Sequence, residues 1–133
     1  MLLDELQRAL YTRLNAEITG VTGVYDTPPQ SDDSGDDSAF PYIKIGPFIP
    51  APWDTDGSNG ITALADISLA SRTTGLIRRG IMGQIYNALH KYDLPITGAN
   101  TVDCLFEAET DFEDPDNITH RNVSTFRVTY VIT

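Results

Sequence analysis

The chain has 133 residues, about one domain's worth and too few for two full cores. Nineteen acidic residues against nine basic ones leave a formal net charge of −10. That balance argues against the basic face a nucleic-acid binder needs and against attraction to an anionic membrane surface. Hydrophobic residues make up 41% of the chain, enough for a core, and the single cysteine, Cys104, has no internal disulfide partner. No apolar run approaches the roughly 18 residues needed to span a bilayer. Asp4 and Glu5 stand where a signal peptide carries bases. The expectation is a soluble, acidic, single domain over residues 1–133, made in the cytoplasm or in an assembly formed there.

In chain order, Leu3, Leu6, Leu10, Leu14 and Ile18 recur three and four apart and predict a helix from about residue 2 to residue 18. Asp4 and Glu5 suit its N-terminal dipole, and Gly20 and Gly23 supply the stop. Val21 to Asp26 reads as a short strand that Pro28 and Pro29 end. Residues 30–39, with four aspartates, three serines and no large apolar side chain, read as part of a mobile acidic loop at about 27–39. Phe40 to Ile49 is strand-like, with Pro41 and Pro47 restricting it to an edge or a bulged path. Pro50 to Gly60 reads as a second loop, and the alternation of Ile61, Ala63, Ala65, Ile67 and Leu69 as a long strand with one apolar face.

A second helix is expected from near Thr74. Leu76, Ile77, Ile81, Ile85, Ala88 and Leu89 are assigned to its apolar stripe; Arg78, Arg79, Gln84, Asn87 and Lys91 are expected to face away. Gly80 and Gly83, each about 1 kcal/mol poorer than alanine in a helix, permit close packing on a sheet or on another subunit. Val102, Cys104, Phe106 and Ala108 then alternate on one strand, and Phe126, Val128, Tyr130 and Ile132 on the last, with an acidic turn over 111–117 between them. The order α-β-β-β-α-β-β predicts an α+β fold, an antiparallel (mixed) sheet with two helices packed on one face.

The sequence carries no recognisable catalytic constellation: no phosphate loop, no dinucleotide fingerprint, no nucleophile elbow and no zinc spacing. His90 reads as a solvated residue at a helix C-terminus, His120 as part of a hydrated turn, and Cys104 as a small buried hydrophobe. Asp54 to Gly60 begins like a calcium loop, but Asn59 stands where glycine is needed and Ala65 where a bidentate glutamate is needed. No catalytic residue, cofactor or metal site is therefore expected. Trp53 lies in a Pro-rich loop outside any periodic apolar face, either as an interface anchor or folded back to cap the sheet edge.

Taken in order, the landmarks are a Leu-Leu-x-x-Leu-x-x-Ala-Leu-Tyr-x-Arg-Leu helix, Gly23-Val24-Tyr25-Asp26, Pro28-Pro29 and Phe40-Pro41-Tyr42-Ile43-Lys44-Ile45-Gly46. A long strand, the Ser71-Arg72-Thr73-Thr74-Gly75 turn, a helix ending Ile85-Tyr86-Asn87-Ala88-Leu89, Asp116, His120-Arg121 and Phe126-Arg127-Val128 follow. This pattern resembles the tail-completion or tail-terminator proteins of long-tailed bacteriophages and gene transfer agents along nearly the whole chain. The acidic insert at 30–39 and the Pro-Trp loop depart from it. The resemblance implies a structural virion protein of the tail and neck. Six copies would form a ring at the head-proximal end of the tail tube, stop tube polymerisation and present a surface to the neck or head-completion (connector) protein, while DNA passes through unbound. Its implied partners are its own copies, the tail-tube protein and that connector, with no membrane. Trp53 and Phe48 are candidate contacts with tube or neighbouring subunit, and Arg78 and Arg79 candidate counter-charges to acids next door. Another head-tail connector, an acidic cation-binding module and a nucleic-acid mimic are the competing readings.

Overall fold

The computed structural model describes residues 1–26, 40–115 and 118–133. The acidic loop expected at about 27–39, with all its aspartates, lies outside the described residues, as does Asp116. Helix α1 spans Leu3–Glu17, strand β1 Val24–Tyr25, β2 Tyr42–Pro52, β3 Asn59–Ser71, helix α2 Gly75–Leu89, β4 Ala99–Glu113 and β5 His120–Ile132. The sheet order is β1-β2-β3-β5-β4. Strand β1 runs parallel to β2 and every other pairing is antiparallel, which makes the α+β sheet mixed.

Alternation on β3 decides which face is buried. Ala63, Ala65, Ile67 and Leu69 are sealed on one side and pair across with Val128, Phe126, Ser124 and Asn122 of β5. Ile43 and Ile45 of β2 and Cys104 of β4 extend the same face. Leu6, Leu10 and Leu14 of α1 and Ile81, Met82, Ile85 and Leu89 of α2 complete one continuous apolar cluster with it. Burying a leucine of this kind contributes about 1.5–3 kcal/mol. Both helices therefore lie on one face of the sheet, α1 over β1 and β2 and α2 against β3, β5 and β4.

Side chains from α1 and α2 tie the two helices together at the α2 C-terminus. Arg13 Nε donates to the Ala88 carbonyl at 2.9 Å, one of the carbonyls that a helix end leaves without an intrahelical partner. The same guanidinium lies 3.7 Å from the Tyr92 ring centroid, and its Nη1 pairs with Glu17 at 2.9 Å. Gln84 Oε1 accepts from the Thr19 backbone N–H at 2.8 Å, holding the chain as it leaves α1.

Three strand readings are corrected. Strand β2 runs on to Pro52, so Pro50 to Pro52 belong to a strand rather than a loop. The Trp53 N–H turns inward to the Gly60 carbonyl at 2.8 Å, which places the alternate positions Pro50 and Pro52 with their missing donors outward, where a ladder does not need them. The bulge expected from the prolines falls between Ile45 and Phe48, at Gly46 with φ +101°. Strand β4 carries two further irregularities, between Thr101 and Asp103 and between Phe106 and Ala108, so Val102 and Ala108 leave the face that Cys104 and Phe106 share. Val102 is 52% exposed. Finally, 111–113 continue β4, and the acidic turn begins only at Asp114.

Replacing Arg13 with alanine removes the helix cap, the ring contact and the ion pair together. It is expected to cost about 1–3 kcal/mol, read as a lower denaturant midpoint with an unchanged slope. Cys104 is sealed, and burial, with Asp103 adding to it, pushes its thiol up to about 12 from 9.0. The folded chain is expected to resist a thiol reagent at pH 8 and to react at once in denaturant. Because the folded thiol holds its proton where the unfolded one releases it, this residue's contribution to stability is present below pH 9 and is lost as pH rises toward 12.

Candidate functional site

The β2–β3 hairpin is built by a short turn at Asp56-Gly57, with Gly57 at φ +81°. Thr55 and Ser58 exchange backbone hydrogen bonds across it at 3.1 and 3.2 Å. Asp54 Oδ1 accepts from the Gly60 N–H at 3.1 Å, so the oxygen that would open a calcium loop instead closes a hairpin. Trp53 lies beside Gly60 across this hairpin. A Cβ on Gly60 would stand 2.2 Å from the Trp53 carbonyl oxygen and 3.0 Å from its ring, so only glycine admits this close approach of the Trp53 backbone. Trp53 nonetheless stays 42% exposed: it folds back beside Gly60 of its own hairpin and keeps part of its surface open to solvent. Phe48 packs partly against the main core, while its neighbour Ile49 is 62% exposed.

Helix α2 departs from the stripe read in the sequence. Arg78 is buried with 8% exposure, and Leu76 and Ile77, assigned to the apolar face, are 83% and 51% exposed. The stripe Ile81, Met82, Ile85, Ala88 and Leu89 extended back by three or four residues lands on Arg78, which is the signal that spacing offered. Thr74 caps the helix, accepting from the Ile77 N–H. Arg78 Nη2 and Arg79 Nη1 both bend back toward Gly75, within 3.6 and 3.1 Å of the point a Cβ would occupy there. Gly80 and Gly83 meet nothing within 4 Å of their Cβ positions, so close packing inside this chain does not account for them.

The histidines acquire structural partners that the sequence did not reveal. His90 stacks on Tyr86 at 4.7 Å, and its Nδ1 accepts from the Phe106 N–H of β4 at 3.0 Å, which assigns the ring proton to Nε2. Lys91 N–H donates to the Cys104 carbonyl at 2.7 Å. His90 is thus a cover for the β4 edge rather than a solvated helix end. His120 lies 3.8 Å from Glu113, and Arg121 Nε pairs with Asp114 at 2.9 Å beside the β4–β5 turn. Among the described residues no group of three or more His, Cys, Asp or Glu is gathered as metal ligands would be, and no helix is long and apolar enough to cross a membrane.

What the geometry offers is a set of surfaces: an exposed indole on a hairpin, an apolar and cationic outer face on α2, and a sheet face that neither helix covers. The sequence model for "Tail completion protein gp17" matches residues 8–131. The chain belongs to this tail-completion family. As a member it is a structural component of a virion tail. A chain of the virion of the native gene transfer agent (GTA) particle is 22% identical, with a TM-score of 0.81 over 95% of this chain and 94% of that one, and shares its fold. No curated protein sequence matches at a significant level.

Gly60→Ala in this tail-completion chain is expected to push the Trp53 backbone, and the indole with it, away from β3. A red shift of tryptophan emission together with a lowered melting temperature is the checking observation; an unchanged spectrum and melting temperature would overturn this close approach.

Proposed function

We propose that this chain closes the head-proximal end of a tail tube as a ring of about six copies, ending tube polymerisation and offering its other surface to a neck or head-completion (connector) protein. The observation that carries the reading is the match of the tail-completion family along residues 8–131, nearly the whole chain. The work asked of such a subunit is complementary contact, not bond making. It is done by surfaces of the kind found at Trp53 and along α2: an aromatic held by its own hairpin and an outward apolar helix face.

The charge fits the same role. Six copies at −10 each gather about 60 formal negative charges in one ring, which must be spread or screened. A lumen lined by part of that charge repels phosphates and lets DNA pass without sticking. Such a lumen is incompatible with a lining made mainly of Arg72, Arg78, Arg79 and Lys91.

Light scattering on the purified chain is expected to give a particle of about 88 kDa, six times 14.6 kDa, at high concentration or on addition of tube protein. Added to polymerising tail-tube subunits, the chain should shorten tubes and appear at one tube end by electron microscopy. Tubes of unaltered length with bare ends would overturn the capping role.

A further inference from the structure

Two guanidinium groups with no acidic partner among the described residues converge on the first turn of α2. Arg78 is buried at 8% exposure, and its Nε has no hydrogen-bond partner among the described residues. Arg79 is exposed, and none of the ion pairs among the described residues includes either arginine. Glu109 lines the same groove as Arg79, between α2 and β4, yet the two do not pair; Arg79 bends back toward Gly75 instead, beside Arg78. Placing two cations at a helix N-terminus, one of them desolvated, is unfavourable without an anion, because the helix dipole is positive at that end. Leu76 and Ile77 stand exposed immediately beside them.

The opposite flank of the helix layer has the complementary make-up. The strand order puts β1 and β4 at opposite edges, with α1 over the β1–β2 side and α2 toward β4. Between α1 and β1 lies a depression of about 430 Å³ lined by Asp4, Gln7, Arg8, Tyr11, Asp26 and Ile45, where the Arg8 charge is already met by Glu5 at 3.1 Å. Asp4 and Asp26 are exposed and belong to no ion pair among the described residues, and Tyr11 is 46% exposed. Among the described residues, each flank thus couples two charges of one sign that belong to no ion pair with an exposed large apolar side chain.

We propose that the Arg78–Arg79 turn of α2 docks into the Asp4–Asp26 depression of a second copy of this chain. The contact is head-to-tail: one flank of each copy meets the other flank of the next, the arrangement that closes into a ring rather than a two-fold dimer. The arginines gain the carboxylates they lack, and Leu76 and Ile77 meet Tyr11. The inference rests on the ring reading and specifies which surfaces make it.

The test compares wild-type chain with Arg79→Glu, Asp26→Arg and the double variant, all full length, by light scattering across a concentration series. Each single variant is expected to raise the concentration for half-assembly about tenfold or more, and the double variant, which restores opposite charges at every contact, to recover most of it. Arg79→Lys, which keeps the charge, should assemble nearly as wild type does. Melting temperatures separate docking from folding: unchanged values in the single variants support the contact, whereas a loss of stability in the monomer itself points to internal pairing with Glu109 and overturns it. Single variants that assemble as well as a ring-forming wild type overturn this contact and leave the ring intact. Assembly retained while duplex DNA retention is lost in Arg79→Glu would make phosphate the partner and also overturn it. A wild type that stays monomeric even with tube protein overturns the ring reading and the contact together.

Discussion

One apolar layer, shared by two helices and a single face of the sheet, carries the fold, and its geometry is set by the small residues of β3. Ala63 and Ala65 at the centre of the sheet pair with the bulkier Val128 and Phe126, and the combination leaves room for Leu10, Leu14, Ile85 and Leu89 to descend from above. The other face buries only a small cluster, Phe40, Tyr42 and Ala70 with Tyr25 packed against them, and must satisfy its polar groups without a helix over it. It does so across strands: Thr125 donates to Asp66 at 2.8 Å, the Thr62 and Thr129 hydroxyls meet at 3.1 Å, and Arg127 pairs with Glu107 at 3.1 Å. Outside that small cluster the face is a polar surface braced by its own cross-strand pairs.

The same layer determines how the sheet edges are protected. An unpaired strand edge is a template for uncontrolled addition of another strand. Along β4, the end of α2 turns back on the strand, and His90 and Lys91 occupy backbone groups of Phe106 and Cys104. On the other side β1 is only two residues long, and β2 beyond it carries Pro47, Pro50 and Pro52, which cannot donate. These stretches are thereby withdrawn from pairing with a further strand.

The acidity of the chain belongs to that context. Within the described residues the acids of β4 and its turn are only partly paired, by Arg127, His120 and Arg121, and the cations at the α2 N-terminus are not paired at all. Charges of both signs left unmatched on a single folded chain are a cost in isolation and an address in an assembly, where rim charges select partner and orientation more than they add affinity.

Much of the fold was legible in one dimension. The periods of Leu6, Leu10 and Leu14 and of Ala63 to Leu69 determined both the element types and the buried faces, because a helix or strand repeats its orientation over a few residues. The order of motifs also sufficed to indicate the tail-completion family. The sequence could not show that bulges move Val102 and Ala108 off the face of Cys104, since a bulge depends on the partner strand's register. Nor could it show His90 reaching across 16 residues to the β4 edge, or Trp53 lying on Gly60, since those contacts exist only once separate elements meet. Arg78 is the clearest case. Its charge alone argued for solvent, yet helical phase and the docking of α2 placed it inside. Local periodicity, capping and composition are properties of the chain itself, while edge protection and the position of an unmatched charge are properties of packing, and only the tertiary structure decided them.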